Sequence, residues 1–185
     1  MSYTIRKFQP ETDVVKPFDC GQADLNGFLL ETNSDAPNAT LYDKEFLAVT
    51  YVAVDDMTHS ILAYFSLLND KIDREFVEPT IWNRLSRKIP NAKRRSSYPS
   101  LKIGRFAVDR SGQRSGIGKE LLLFIQTWYY KVRKSGCRYI TVDALLGAEP
   151  FYTKCGFTRL SDPREDDETV LLFFDLKSWS QTRGT

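Results

Sequence analysis

Residues 106–123 read FAVDRSGQRSGIGKELLL. An apolar, strand-like run gives way to a loop holding three glycines, and a leucine-rich segment follows at once. Strand, glycine loop and helix in that order are the element on which an α/β fold turns. The first turn of any helix leaves backbone N–H groups unpaired and carries a partial positive charge. Glycines ahead of it let an anion approach the main chain with no Cβ in the way. The stretch is therefore either an eased strand-to-helix turn or a cradle for phosphate.

Two standard phosphate motifs fail here. A Walker A loop needs four residues between its glycines, but Gly112 and Gly118 enclose five, and Glu120 stands where the magnesium-binding hydroxyl belongs. A dinucleotide fingerprint accepts Gly116 and Gly118 but finds Leu121 at its third glycine, and the strand lies too far along the chain to open a βαβ unit. What remains is Gln113-Arg114-Ser115-Gly116-Ile117-Gly118, with Lys119 adding positive charge to that of Arg114.

Outward from the loop, Ile117, Leu121, Ile125, Trp128 and Val132 fall at three- and four-residue steps, which predicts a helix of about five turns buried along one side. Gly136 follows its basic end as a stop signal. CRYITVDA, after it, reads as a strand, AEPFYTKCGF as a short helix ended by Gly156, and ETVLLFFDL as the last strand. Before the loop, YTIRKF reads as a strand, and Leu25, Phe28 and Leu29 place one apolar stripe on a helix. EFLAVTYVAV and SILAYFSLL read as an antiparallel hairpin across DDMTH, residues 75–88 as a helix with Pro79 near its first turn, and SLKIGRFAVD as a strand. The expected fold is α/β, a single domain over residues 1–176 with a mixed, largely antiparallel central sheet flanked by helices, and residues 177–185 as a flexible tail.

With 185 residues, 42% of them hydrophobic, one core suffices, and a net charge of +2 selects no partner. No apolar run reaches the length of a membrane span, and the N-terminus has no signal-peptide pattern. Cys20, Cys137 and Cys155 form an odd set without CxxC spacing, pointing to a reducing, cytoplasmic setting and away from a disulfide scaffold or a zinc site. His59 is the only histidine and sits in a turn-like stretch, so a two-histidine metal site is excluded and the residue reads as part of a loop. No metal is expected.

The order strand, [QR]xxGxG, long amphipathic helix resembles the acyl-CoA-binding motif of the GNAT N-acyltransferase superfamily. A second motif agrees independently: Ala148-Glu149-Pro150-Phe151-Tyr152-Thr153-Lys154-Cys155-Gly156-Phe157 is similar to the family's late helix, and one helix and one strand separate it from the loop. The resemblance implies acetyl-CoA as co-substrate. The pantetheine would lie along Phe106, Ala107 and Val108 as an added strand. The pyrophosphate would lie on the amides from Gln113 to Gly118, with Arg114 and Lys119 beside it. An amine would attack the thioester directly, a backbone N–H would hold the oxyanion, and Tyr152 would act as general acid toward the departing thiolate. No general base stands out.

FDCGQADLNGFL, beginning at Phe18, together with LKIGRFAVD, resembles the branch of toxin–antitoxin pairs that acetylates the amino group of aminoacyl-tRNA. Arg84, Arg87, Lys88, Lys93, Arg94, Arg95, Lys102 and Arg105 form a basic segment without an acidic residue, suited to an RNA backbone or to an acidic antitoxin. The acidic run DPREDDE at 162–168 balances it, so a solvated surface is the plain alternative. A homodimer, a non-catalytic RNA- or antitoxin-binding protein and a coenzyme A sensor are open on the same fold.

Overall fold

The computed structural model describes residues 2–13, 18–30, 32, 33, 36–87, 89–91, 95–132 and 135–178. Of the tail expected over residues 177–185, residues 179–185 lie outside the described ones. In chain order the elements are β1 (Tyr3–Lys7), α1 (Ala23–Leu30), β2 (Thr32–Asn33), β3 (Ala36–Pro37), α2 (Asn38–Lys44), β4 (Val49–Asp55), β5 (Ile61–Asp73), α3 (Pro79–Ser86), β6 (Ser97–Val108), α4 (Ile117–Val132), β7 (Tyr139–Leu145), α5 (Glu149–Lys154), β8 (Thr158–Arg159) and β9 (Thr169–Asp175). Seven strands form one sheet in the order β1-β4-β5-β6-β7-β9-β8, and β2 pairs with β3 alone. The pairs β1/β4, β4/β5, β7/β9 and β8/β9 are antiparallel. β6 and β7 are sheet neighbours joined through α4, the kind of crossover that parallel strands require. The mixed, largely antiparallel sheet expected from the sequence is thus the one observed.

Contacts gather into two compact units, Met1–Leu68 with Ile103–Leu122, and Asn69–Lys102 with Leu123–Thr185. In the first, Val52 of β4 stands opposite Tyr64 of β5, both fully buried. A buried phenol needs an acceptor, and the Tyr64 hydroxyl donates to the Leu25 carbonyl at 2.6 Å. That bond ties α1 to the sheet, and Phe18 meets the Tyr64 ring edge-on at 5.6 Å. The β4–β5 turn closes on the Asp55 carboxylate, which accepts from the Met57 and Thr58 amides. His59 lies in that turn, exposed, as its sequence context suggests.

In the second unit, Trp82 of α3 stacks on Tyr98 of β6 at 4.9 Å, and the buried Tyr139 hydroxyl donates to the Leu85 carbonyl. Arg138 and Asp175, adjacent to Tyr139 and Phe174 in the β7/β9 pair, form a two-point ion pair. Pro79 is accommodated because α3 begins there; the helix expected over 75–88 is accordingly shorter, with a 3₁₀ turn at Arg74–Phe76 ahead of it. The buried stripe of α4 also ends early. Ile117, Leu121 and Ile125 are buried, Trp128 is half-buried and Val132 is exposed, since a strict three-and-four spacing drifts around a straight helix. α2 has no marked apolar period and is not among the expected elements.

Candidate active site

β6 ends at Val108, and the chain then folds back on itself. The Asp109 amide donates to Leu62 of β5, while the amides of Gly112 and Gln113 both donate to the Asp109 carbonyl. Gly112 is buried, and a Cβ there would meet Ile117 Cδ1 at 3.1 Å. Arg114 has φ of 62° and Gly116 φ of 100°, so the loop turns through the left-handed region twice before α4 begins. Glu120 is the first helical residue whose amide closes back, onto Gly116.

This accounting shows which donors remain open. The Gln113 and Ser115 amides are already bonded to loop carbonyls, so they are not the free donors the motif suggests. The amides of Arg114, Gly116, Ile117, Gly118 and Lys119 donate to no other backbone group among the described residues. Arg114 and Lys119 are exposed and make no ion pair among the described residues, while the Glu120 carboxylate is engaged by the Tyr3 hydroxyl at 2.6 Å. Open amides on a positive-φ turn, at the N-terminus of a sixteen-residue helix, are donors of the kind that anions take. Phe106, Ala107 and Val108 lead directly into it as the last residues of β6.

Gln113 has a different part. Its side-chain amide donates to the Cys20 carbonyl at 2.9 Å and to the Val108 carbonyl at 3.0 Å. It is one of several bonds between the loop and the turn that leads into α1. The Asp109 carboxylate accepts from the Asp19 amide at 2.8 Å and from both the amide and hydroxyl of Ser111. Asp19 in turn accepts from the Gly21 amide and Asn26 Nδ2, and Arg110 pairs with it at 2.9 Å. Burial alone would raise the Asp109 pKa, but the hydrogen bonds from Asp19 and Ser111 outweigh it and hold the carboxyl below its ordinary value. The Asn26 and Gly21 bonds lower Asp19 likewise. Asp19, Asn26 and Asp109 are the residues that motif reading passes over. Their only signal is that each stands inside one of the two stretches, FDCGQADLNG and FAVD, that mark the resemblance.

In the second unit, α5 is a single short helix with Pro150 in its first turn. Tyr152 is 5% exposed, with Phe151 and Phe157 meeting its ring edge-on at 5.1 and 5.5 Å. Burial, with a smaller contribution from Cys155, pushes the Tyr152 phenol well above its ordinary pKa. The hydroxyl is therefore protonated across the neutral range. The helix end is fixed by the Gln126 side chain, which donates to the Cys155 carbonyl, and by Arg159, which grips Glu149 at two points.

The basic segment is less uniform than its sequence. Lys102 pairs with Asp143 at 2.5 Å, and Arg105 is drawn over the Phe28 ring at 5.2 Å. Arg84 lies over Phe173 at 5.8 Å, still exposed, with Arg87 and Arg95 also exposed. Lys88, Lys93 and Arg94 lie outside the described residues. Among the described residues no group of three or more His, Cys, Asp or Glu could hold a metal, and no helix is long and apolar enough to cross a membrane.

The sheet order, the glycine loop at the head of α4 and the helix after β7 together define a GNAT acetyltransferase fold. Residues 91–176 match the family model described as acetyltransferase (GNAT) domain. Both sequence motifs fall inside that match, so residues 91–176 carry a GNAT domain on a GNAT-like fold. Among solved structures it is similar to a Tyr-to-Phe mutant of KacT, at 27% identity and a TM-score of 0.79 over 98% of this chain and 99% of that one. It is also similar to AtaT complexed with acetyl-methionyl-tRNAfMet, at 25% identity and a TM-score of 0.78 over 98% and 99% of the two chains. A third is AtaTR bound with acetyl-CoA, at 25% identity and a TM-score of 0.73 over 98% of each chain.

Proposed function

We propose that the chain is an N-acetyltransferase that moves acetyl from acetyl-CoA to the amino group of an aminoacyl-tRNA. The observation that carries the cofactor half is the set of open amides of Arg114 and of Gly116 to Lys119, gathered at one helix N-terminus beside the exposed cations Arg114 and Lys119. The acceptor half is supported by the full-length likeness to AtaT, whose structure holds an acetylated methionyl-tRNA.

In this reading, pyrophosphate sits on the Gly116–Lys119 amides and pantetheine runs along Phe106–Val108. The neutral amine attacks the thioester carbonyl, the C–N bond forms, and the oxyanion draws on a backbone N–H. When the C–S bond breaks, the thiolate takes the Tyr152 phenolic proton; the amine releases its surplus proton to solvent, and solvent returns a proton to the phenolate. Burial keeps the Tyr152 phenol protonated, so its proton is in place when the thiolate departs. Arg84, Arg87 and Arg95 are the exposed cations we assign to the RNA backbone. A cytoplasmic setting, where charged tRNA and acetyl-CoA meet, goes with this reading.

The test is transfer of radiolabelled acetyl from acetyl-CoA to total charged tRNA. Label retained on aminoacyl-tRNA, and absent when the tRNA is deacylated first, is expected. Equal labelling of deacylated tRNA, or none of either, would overturn the acceptor assignment.

A further inference from the structure

The first unit contains a cavity of about 350 Å³ between α1, α2 and Arg105 of β6. Its polar side chains are Asp24, Asn38, Tyr42 and Arg105. Arg105 Nε is buried and has no hydrogen-bond partner among the described residues. The nearest carboxylate, Asp24 Oδ2, stands 3.6 Å from it, too far for a hydrogen bond. Asp24 itself is 80% exposed at the rim. The apolar wall is made by the rings of Phe28 and Tyr42, which meet edge-on at 5.4 Å, with the guanidinium lying over Phe28.

A donor left unmet in a buried position calls for an acceptor from a ligand. A phosphate would supply one but would be repelled by Asp24. A simple cation would suit Asp24 but would meet Arg105. The cavity suits a molecule carrying an ammonium and a carbonyl oxygen a few ångströms apart, with an apolar group beside them. That is the description of an α-amino ester with an apolar side chain. The place in the chain agrees, because Arg105 immediately precedes Phe106, where the proposed pantetheine strand begins.

We infer that this cavity holds the aminoacyl group of the acceptor: Arg105 Nε–H donates to the ester carbonyl, Asp24 attracts the ammonium, and Phe28 and Tyr42 face the side chain. The inference rests on the acceptor reading given above and narrows it to amino acids with apolar side chains. Asp24 and Arg105 are then specificity-determining residues, and neither belongs to the acetyl-CoA site.

The test uses amino-acid methyl esters and the Arg105 Nε–H resonance in a nitrogen-15 correlation spectrum of the whole chain, assigned by its loss in Arg105→Gln. Leucine methyl ester is expected to move that resonance saturably, and glycine methyl ester to bind at least several-fold more weakly. Asp24→Asn, a change at an exposed side chain, is expected to weaken the leucine ester several-fold while leaving N-acetyl-leucine methyl ester, which has no ammonium, unchanged. Acetyl-CoA affinity should be the same in wild type and in both variants. No saturable shift with any ester, or an Asp24→Asn variant that binds the leucine ester like wild type, would overturn the inference. The outcomes separate it from the broader reading. Labelled charged tRNA without ester binding leaves the acceptor class standing and removes this cavity. Ester binding without transfer to tRNA keeps the cavity and removes tRNA.

Discussion

In the proposed reading, the chemistry around Gly116 lies in the main chain, and around Tyr152 in one side chain. The loop exposes a run of backbone amides on a turn that only a few bonds hold in shape, and its side chains are mostly in solvent. Tyr152 is packed among aromatic rings with its acidity suppressed by burial. A backbone site tolerates changes of side chain but not of φ, whereas a buried phenol tolerates no loss of its hydroxyl. The contrast predicts different failures: altered binding with intact chemistry in the first region, and altered chemistry with intact binding in the second.

The largest effect should come from Tyr152→Phe, which removes the proposed proton donor and keeps the ring. We expect kcat to fall by about 10²-fold or more, with acetyl-CoA affinity unchanged. Full turnover in this variant would dissolve the contrast by taking Tyr152 out of the mechanism.

Asp109→Asn sharpens the other side. The carboxylate accepts three hydrogen bonds, one of them from the turn before α1, so its loss should cost about 1–3 kcal/mol of stability and weaken acetyl-CoA together with it. The pH dependence follows from the sign of the shift. A carboxyl whose pKa is lowered in the fold stabilises above its unfolded value, near ~4, and loses that contribution as pH falls through the folded one. The Tm gap between wild type and Asp109→Asn should therefore be full at neutral pH and narrow below about pH 4. A gap that is constant with pH would mean that the carboxylate charge does not hold the loop.

Arg114→Gln and Lys119→Gln should have the smallest effects. Exposed charges in water contribute at most about 1 kcal/mol each, so acetyl-CoA affinity should drop a few-fold, and less at high salt. A loss far above tenfold would move the cradle from the main chain to these side chains.

Much of this was legible before any coordinates. The α4 stripe, the β4–β5 hairpin and the short helix ended by Gly156 follow from apolar period and turn residues, because those signals are local. The glycine loop was legible as a strand-to-helix turn for the same reason, yet its donor count was not: that Gln113 and Ser115 spend their amides inside the loop depends on a fold-back no periodicity reports. The Asp19–Asp109 bond joins residues ninety positions apart, and Arg105 lies over a ring from α1. The basic segment likewise reads as one patch in sequence, but Lys102 and Arg105 turn to partners on elements that the sequence alone cannot bring near.

The most direct test of the central claim is calorimetric titration of acetyl-CoA into wild type and Gly116→Ala. A Cβ at Gly116 would meet nothing within 4 Å, so the change acts only through the positive φ. Left-handed backbone costs a residue with a side chain about 1–2 kcal/mol. The account predicts binding by the wild type and affinity about tenfold weaker in the variant, with unchanged circular dichroism. Equal affinities, or no binding by the wild type, would contradict it.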